Sequence, residues 1–548
     1  MRLRASVVLF LCAAALSLAP AQAAAQQGLP PGRLALLGRG INLNAWFTSC
    51  ANPAAYATAF RADEAAFLKR AGFTVCRLPL APDLLFDPSN PGAPTAEIRY
   101  VDRAVRLLLD AGLAVVLDPI HGPSSNADWE SKLDHDPGFL ASVETYWEAL
   151  ARHYAAISGD RIFFEVMNEP HLSAREKVDP SWWQPVQAAF VAAIRRGAPT
   201  NTIIATGERW GGIDGLAELK PLADPNVVYS FHWYEPFTFT HQGATWTAPV
   251  QAELAGIPYP SSPDAVAGPA AALADSKARA QVLRYGRESW DAARIRAGLA
   301  RAADWAAANR VALFCGEFGV YRKEAPAADR LSWIRDVRTS LESLGIGWSM
   351  WDYETDFGLV TYSEPSWRRG PAVDSGCLAA LGLDASQGLA PDSGGVTAAA
   401  FASGAAQSLD IPVWAWSRLW TRDPGAGELS VEEDSSGVPI GASIVHRGAR
   451  DWSLGSGLRI SVQPGERLVL SSSASLDGSG SLSLELVARD AAGAVLNWSY
   501  AATKVAQGPV GPVSAEFVVA PGIATVEPRW SGTGPARFHV VAFRLERR

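Results

Sequence analysis

Two glutamates that directly follow short apolar runs are the residues of this sequence best placed to do chemistry. The run Arg161–Glu169 (RIFFEVMNE) begins as an apolar segment and ends in Asn168 and Glu169. Later in the chain, the apolar run Val311–Phe314 continues through a cysteine and a glycine into Glu317. Apolar runs of this length are typical of strands that are buried on both faces. A carboxylate at the exit of such a strand is unfavourable unless it is paired or used, so the two glutamates are candidate catalytic groups.

The elements that must position these glutamates form a regular alternation of strands and helices. The apolar pattern predicts eight strands: Leu36–Asn44, Phe73–Leu78, Ala114–Asp118, Ile162–Val166, Thr202–Thr206, Val227–His232, Val311–Cys315 and Ile346–Trp351. Helical patterns follow them at Ala62–Ala71, Val101–Ala111, Phe139–Ile157, Trp183–Arg196, Ile213–Leu219, Asp291–Asn309, Ala327–Leu344 and Asp374–Leu383. Alternating βα units imply a parallel sheet, and eight of them predict an α/β fold of the (β/α)8 TIM-barrel type over residues 34–383.

The connection Glu235–Glu288 is much longer than a usual βα loop. A loop of this length on the active face is either a wall of the binding site or an insertion.

The polar residues that follow the predicted strands are expected to meet at one end of the barrel. Active sites of this fold form at the carboxyl ends of the strands. The residues in this position, from the second strand to the eighth, are Arg77, His121, Asn168 and Glu169, Glu208 and Trp210, His232 and Tyr234, Glu317, and Trp351.

These residues give the chain a resemblance to glycoside hydrolase family 5, the cellulase-like retaining β-glycosidases of the (β/α)8 clan. Residues 34–383 carry the resemblance. The motifs occur in the family's order, each at a predicted strand end: Arg77, His121, Asn168-Glu169-Pro170, His232-x-Tyr234, Glu317-Phe318-Gly319 and Trp351.

The resemblance implies a role for each of these residues. Glu169 is expected to be the general acid/base and Glu317 the nucleophile, in a pair about 5–5.5 Å apart. Arg77 and Tyr234 are expected to contact the nucleophile, and Asn168 to hold the 2-hydroxyl of the sugar being cleaved. The remaining substrate-binding residues are expected to be His121, His232 and Trp351, with Trp351 as the floor of that subsite.

Other residues near the predicted site leave alternatives open. Trp210 and Trp46 are either sugar-stacking platforms or ordinary packing residues. Glu208 is expected to be a hydrogen-bonding accessory rather than a third catalyst, and His241 and Trp246 to shape the cleft. The sequence contains no HExxH motif or clustered His/Cys spacing, and the mechanism needs no metal or cofactor, so we expect neither.

The C-terminal part of the chain has a different pattern. Residues 384–407 are rich in Ala, Gly and Ser, which predicts a linker or crossover. Residues 408–548 show short β-rich runs separated by turn signals, which predict a smaller all-β sandwich, jelly-roll-like, that acts as an accessory domain. Its tryptophans either form a stacking surface for polysaccharide or belong to its core: Trp414, Trp416, Trp420, Trp452, Trp498 and Trp530.

Composition and the N-terminus indicate an exported globular protein. The 548 residues are 48% hydrophobic and carry a formal net charge of −8, which disfavours nucleic acid and anionic membranes as partners. Residues 1–25 read as a signal peptide, with a basic start, an apolar core and a small-x-small cleavage site. We therefore expect a secreted or periplasmic protein. A Cys50–Cys377 disulfide stays open, because pairing cannot be read from sequence.

The sequence predicts a secreted retaining glycoside hydrolase that cleaves β-glucan, with internal cleavage of β-1,4-glucan preferred. Exo-acting glucosidases or exoglucanases, β-mannanases, xyloglucanases, exopolysaccharide hydrolases and transglycosylases share the expected residues. A polysaccharide-binding protein with an inactive barrel is the alternative from another class. The expected partner is a β-linked polysaccharide or oligosaccharide, and we expect the chain to act as a monomer.

Overall fold

The computed structural model describes residues 28–48, 56, 59–121, 128–171, 181–364, 368–390, 395–412, 418–434 and 439–548. The chain divides into two compact units. The barrel unit consists of Met1–Ser49, Glu64–Val360 and Asp374–Gly388, and the sandwich unit consists of Cys50–Asp63, Thr361–Val373 and Leu389–Arg548. The predicted signal peptide and Cys50 lie outside the described residues. Cys76, Cys315 and Cys377 are buried free thiols.

Eight parallel strands form a closed barrel, with the first strand paired to the last. The predicted (β/α)8 fold is therefore confirmed. The strands are β1 (Arg39–Asn42), β2 (Val75–Pro79), β3 (Ala114–Asp118), β4 (Ile162–Glu165), β5 (Ile203–Thr206), β6 (Val227–Trp233), β7 (Ala312–Phe318) and β8 (Gly347–Met350).

The barrel interior is a packed apolar core rather than a pore. Strands β2 to β7 are buried at every residue, because helices cover their outer faces while their inner side chains fill the interior. One buried cluster combines side chains from neighbouring strands: Leu37, Val75, Ala114, Val116, Phe163, Ile204, Val228, Ala312 and Phe314. This core fixes the strand ends that carry the polar residues.

The helices of the barrel unit follow the predicted alternation. The helix at Ala62–Ala71 has the predicted bounds, and the other predicted helices are displaced by a few residues at their ends. In chain order the helices are α1 (Arg33–Leu36), α2 (Ala45–Thr48), α3 (Ala62–Ala71), α4 (Pro82–Leu85), α5 (Ile98–Asp110), α6 (Asp128–His135), α7 (Pro137–Ala155), α8 (Trp183–Gly197), α9 (Ile213–Glu218), α10 (Phe237–Thr240), α11 (Pro249–Ala252), α12 (Pro263–Ala272), α13 (Ser276–Glu288), α14 (Ala292–Asn309), α15 (Ala327–Ser343) and α16 (Ser375–Ala380).

The long connection between β6 and β7 has two parts with different roles. Its beginning, with Phe237, His241 and Trp246, lines the cleft at the barrel mouth. Its remainder folds into α11, α12 and α13. Tyr259 anchors this part to α15, since its backbone NH donates to Asp329 at 3.1 Å and its hydroxyl donates to Asp336 at 2.8 Å. The connection is thus a cleft wall followed by a helical insertion.

The sandwich unit contains two antiparallel sheets, which confirms the predicted all-β sandwich. The seven-stranded sheet has the order β11-β23-β17-β22-β14-β13 with β20 paired to β17, and the six-stranded sheet has the order β12-β15-β21-β18-β19 with β16 paired to β21. Their bounds are β11 (Ser408–Ile411), β12 (Arg418–Thr421), β13 (Gly427–Glu433), β14 (Pro439–His446), β15 (Asp451–Gly455), β16 (Ile460–Ser461), β17 (Arg467–Gly478), β18 (Ser481–Arg489), β19 (Val495–Lys504), β20 (Gly508–Val518), β21 (Thr525–Thr533), β22 (Ala536–Val540) and β23 (Phe543–Arg547). A further two-stranded sheet pairs β9 (Val360–Glu364) with β10 (Arg369–Val373).

The core of the sandwich unit combines side chains from both of its sheets. Trp452 and Trp530 are fully buried there, so two of the six C-terminal tryptophans are core residues. Within the segment predicted as a linker, residues 398–402 form helix α17 (Ala398–Ala402), and Phe401 belongs to the same core. That part of the segment is therefore structured, because a phenylalanine side chain is stabilised by burial.

Within the described ranges, no helix combines the length and the apolar character that crossing a bilayer requires.

Candidate active site

A cleft with a volume of about 1650 Å³ lies at the carboxyl ends of the barrel strands. The structure brings most of the predicted site residues together along its surface: His121, Asn168, Glu169, Trp210, His232, Tyr234, Glu317 and Trp351, together with His241 and Trp246. Arg77 lies below them and is fully buried. The convergence follows from the fold, since parallel strands in a closed barrel all end on the same face.

Glu169 and Glu317 face each other beside His232. The nearest ligating atoms of these three side chains all lie within 4.8 Å of one another. His232 Nδ1 is 2.7 Å from Glu169 Oε1 and 3.6 Å from Glu317 Oε2. One oxygen of each carboxylate thus lies within 4.8 Å of the other, which is compatible with the separation of about 5–5.5 Å used by retaining glycosidases.

Arg77 contacts Glu317 from the buried side of the cleft. Its Nη1 donates to Glu317 Oε1 at 2.9 Å, which orients one carboxylate oxygen. Its Nε and Nη2 donate to the two oxygens of Glu165 at 2.7 and 2.8 Å, and Nη2 also lies 3.0 Å from Asp118 Oδ2. A guanidinium is a rigid fork of five donors, so these bonds fix the direction in which Glu317 points.

Two amides complete the surroundings of the arginine. Arg77 donates to Asn42 Oδ1 at 2.9 Å and to Asn168 Oδ1 at 2.7 Å. Because the amide oxygen of Asn168 accepts this bond, its NH2 group is the part that can be offered to a molecule in the cleft. Asn168 therefore can donate to a sugar hydroxyl.

Tyr234 holds the second oxygen of Glu317. Its hydroxyl donates to Glu317 Oε2 at 2.8 Å. Burial, followed by the negative charges of Glu317 and Glu169, raises the pKa of the Tyr234 phenol well above its ordinary value. Since the phenol keeps its proton, Tyr234 stays a hydrogen-bond donor, and both oxygens of Glu317 are fixed.

The two groups next to the open side of the cleft have strongly shifted pKa values. Burial raises the pKa of the Glu169 carboxyl to about 7, although the nearby His121 and Arg77 favour its charged form. Burial also lowers the pKa of His232 to about 4, so its imidazole is neutral near pH 7. Glu169 can thus carry a proton at near-neutral pH, which a general acid must do.

His121 and Trp351 also line the cleft. Their rings stack with centroids 5.4 Å apart and planes inclined by 14°. His121 Nδ1 is 2.8 Å from Asp118 Oδ2, and Asp118 also contacts Arg77. The same buried aspartate therefore links the position of the histidine to the arginine network.

Several aromatic side chains line the cleft besides Trp351. Trp210 is 57% exposed and stacks on His171 at a centroid distance of 3.5 Å. Trp246 is 58% exposed and lies edge-on to Tyr321 at 4.8 Å. His241 is buried and stacks on Phe237 at 3.9 Å. The exposed rings of Trp210 and Trp246 can pack against the apolar faces of sugar rings.

Trp46 and Glu208 do not line the cleft. Trp46 is only 3% exposed and stacks on Phe47 with centroids 5.0 Å apart. This burial favours the packing alternative for Trp46, because a sugar-stacking platform needs an open ring face. Glu208 is buried as well.

Several residues of the site were missed by the sequence analysis. Glu165 and Asp118 lie inside predicted strands. A charged residue within an apolar run is the sequence feature that could have identified them. Their pairing with Arg77 depends on three strands meeting in the barrel. Trp290 and Arg294 line the cleft from the start of α14, and no motif marks them.

Comparisons with known proteins identify the family of this chain. The family model of Cellulase (glycosyl hydrolase family 5) matches residues 38–356, which is more than half of the chain. The chain belongs to glycosyl hydrolase family 5. The predicted family is confirmed, and the protein is a glycoside hydrolase.

Individual relatives extend the comparison. Endoglucanase 3 of Fibrobacter succinogenes is 29% identical over 340 residues, covering 59% of this chain and 50% of the relative. The chain thus spans about half the length of that protein. Endoglucanase C of Acetivibrio thermocellus is 26% identical over 320 residues, covering 58% of this chain and 90% of the relative. The structure of Thermotoga maritima Cel5A in complex with mannotriose is 25% identical, with a TM-score of 0.51, covering 64% of this chain and 98% of that one.

Proposed function

We propose that this glycoside hydrolase is a secreted endo-β-1,4-glucanase that works by retaining double displacement. The observation that carries the proposal is the pairing of Glu169 and Glu317 within 4.8 Å along a cleft of about 1650 Å³. The names of two relatives, both endoglucanases, support the choice of substrate. Residues 1–25 would direct export as a cleavable signal peptide.

In the first step, Glu169 gives its proton to the glycosidic oxygen while Glu317 attacks the anomeric carbon. The bond between that carbon and the leaving oxygen breaks, and a covalent glycosyl ester with Glu317 forms. The raised pKa of Glu169 supplies the proton at near-neutral pH. Arg77 and Tyr234, which hold both oxygens of Glu317, aim the nucleophile at the carbon.

In the second step, the ionised Glu169 takes a proton from water as that water attacks the same carbon. The ester bond to Glu317 breaks, the sugar leaves with its original anomeric configuration, and both carboxyl groups return to their starting states. His232, neutral and 2.7 Å from Glu169, orients the acid/base without adding a charge. Asn168 would donate to the 2-hydroxyl, and Trp351 would support the sugar ring.

The size of the cleft supports internal cleavage. Pockets for drug-sized molecules have volumes of about 300–1000 Å³, and this cleft is larger. It is lined by Trp210, Trp246 and Trp290 besides Trp351. A chain of several sugars would occupy such a cleft better than a terminal sugar alone.

β-Mannan is the second candidate substrate. The Thermotoga maritima Cel5A structure contains mannotriose, a mannose oligosaccharide. A site that accepts both sugars would have to tolerate either orientation of the 2-hydroxyl, the group that Asn168 is proposed to contact.

The test is a time course of products from a soluble β-1,4-glucan, with β-mannan and β-1,3-glucan in parallel. We expect a rapid fall in viscosity and mixed oligosaccharides from the β-1,4-glucan. A single small product with nearly unchanged viscosity would show exo action, and products longer than the starting oligosaccharide would show transglycosylation. NMR of the first product should show the β-anomer, and an initial α-anomer would overturn double displacement.

A further inference from the structure

The outward face of the six-stranded sheet in the sandwich unit has an unusual composition for an exposed surface. Alternate residues of its strands point to opposite sides. Trp452, Leu454, Leu484 and Trp530 belong to the core. The alternate residues of these strands therefore point outward, and together with Trp420 and Trp498 they form what we call the outer face: Ser453, Ser483, Glu485, Val487, Arg489, Glu527, Arg529 and Ser531.

Two exposed tryptophans stand near opposite edges of the outer face. Trp420 on β12 is 49% exposed, and Trp498 on β19 is 58% exposed. Strands β15, β21 and β18 lie between them. At about 4.8 Å per strand, the strand spacing alone separates the two positions by roughly 19 Å, and an offset along the strands adds to this separation.

A row of small hydroxyl side chains crosses the sheet from Trp420. Trp420 is paired with Ser453, Ser453 with Ser531, and Ser531 with Ser483. Directly paired residues point to the same side of a sheet, so the three serines form a continuous row that starts beside Trp420 and ends at Lys504, the partner of Ser483. Trp498 lies on the same face but further along β19, so the row and the second ring are offset along the strands.

Trp498 is held on the outer face by arginines. Register shifts between β18 and β19 on either side of Leu486 and Ala488 interrupt the regular alternation at this point. Arg529 donates to the Trp498 carbonyl at 2.7 Å, and the guanidinium carbons of Arg529 and Arg489 lie 5.5 and 5.9 Å from the ring centroid. The arginines come from the sheet while more than half of the side chain is exposed, so the ring presents a face to solvent.

The charges of this face are largely balanced. Arg529 pairs with Glu485 at 2.6 Å, Arg489 lies 3.7 Å from Glu527, and Arg422, which lies over the Trp420 ring, pairs with Asp451 at 2.8 Å. Lys504, opposite Ser483 on the edge strand, adds one ammonium group. Paired charges next to hydroxyls offer both donors and acceptors, which suits a neutral polar ligand better than a polyanion.

We propose that the outer face is a binding site for a neutral glucan chain, separate from the catalytic cleft. Sugar rings would stack on Trp420 and Trp498, and their hydroxyls would bond to the serine row and to the exposed Lys504 at its end. A protein partner is a poorer fit, because protein interfaces are apolar at their centre and this face is polar there. The inference rests on the proposed function only in choosing β-1,4-glucan as the ligand.

The experiment measures retention of the full chain in native gels that contain soluble neutral β-1,4-glucan. All variants carry Glu317→Gln, so that the glucan is not consumed and the cleft contributes equally to each. We expect Trp420→Ala and Trp498→Ala each to weaken retention by about three- to tenfold, and the double variant to weaken it further. The matched control is Ile440→Ala, an equally exposed residue (53%) on the other sheet, and it should not change retention.

Two readouts separate this proposal from a folding defect and from the proposed function. Urea midpoints of the tryptophan variants should equal that of Ile440→Ala, and, with Glu317 restored, hydrolysis of cellotetraose should be unchanged. Retention equal to that of the control would overturn the outer-face site. If the variants lose retention but the native chain does not cleave β-1,4-glucan, the binding site stands and the proposed activity fails.

Discussion

The barrel and sandwich units place their charged residues in opposite ways. In the barrel unit, Arg77, Asp118 and Glu165 are fully buried, and Glu317 is nearly so. The sandwich unit has a core of apolar side chains, and its ion pairs Arg422–Asp451 and Arg467–Glu516 lie on the exposed surface. Both units have an apolar core, so the presence of a core does not explain the difference.

The difference follows from how the two kinds of sheet are covered. A parallel barrel is covered by helices outside and closed on itself inside, so a polar residue at a strand end faces other polar residues in a confined space. There, charges interact strongly and their pKa values shift. An antiparallel sheet can leave one face open to water, where ion pairs contribute little and exposed rings are free to meet a ligand.

The largest expected effect comes from removing the nucleophile in the barrel. Glu317→Gln keeps the shape of the side chain but cannot form the glycosyl ester. We expect kcat on β-1,4-glucan to fall by roughly 10⁴-fold or more, as is usual when a covalent nucleophile is lost. Steady-state assays would measure this fall in kcat, with Glu253→Gln at an exposed position as the control. Comparable rates in the two variants would contradict the role of Glu317 as the nucleophile.

The next effect compares two tryptophans within the sandwich unit. Trp530 is fully buried, so Trp530→Ala should lower the free energy of unfolding by about 3–5 kcal/mol. Trp420→Ala removes an exposed ring and should lower it by less than about 1 kcal/mol. Chemical denaturation of both variants would show the contrast. Equal losses would mean that the outer-face ring is structural and not kept for a ligand.

The smallest effect concerns Glu165, the buried partner of Arg77. Burial raises its pKa to about 7 against the attraction of Arg77, from an ordinary value of 4.5. Its contribution to stability is therefore complete below about pH 4.5 and is lost as the pH rises to about 7. In Glu165→Gln this titration is absent, so the decrease in unfolding free energy between pH 5 and pH 8 should be smaller by on the order of 1–3 kcal/mol.

Urea unfolding at the two pH values measures this difference. Glu253→Gln, at an exposed position, serves as the matched control and should keep the pH dependence of the unchanged protein. Identical pH dependence in Glu165→Gln and the unchanged protein would show that Glu165 is ionised throughout. Burial would then not shift the pKa of this barrel carboxylate, and the contrast with the exposed ion pairs of the sandwich unit would be weaker.

Much of the barrel could be predicted because local pattern and fold agree there. Buried parallel strands have apolar runs that end sharply, as Phe163 and Phe164 do before Asn168 and Glu169. The helix at Ala62–Ala71 was predicted with its observed bounds for the same reason. In the sandwich unit the sequence predicts an all-β sandwich without strand bounds, because strands such as β13 and β19 are largely exposed and have no buried apolar run.

The sequence by itself determined the order of strands and helices and the residues that follow each strand, since these depend on local periodicity. It also identified Glu169 and Glu317 as candidate catalytic groups, because a carboxylate that follows a buried apolar run is unfavourable unless it is paired or used. Only the tertiary structure decided which charges meet. Glu165 contacts Arg77, Trp46 is buried while Trp210 is open, and Trp420 and Trp498 share one face. Those outcomes depend on strand register and closure between segments far apart in the chain, which no local pattern encodes.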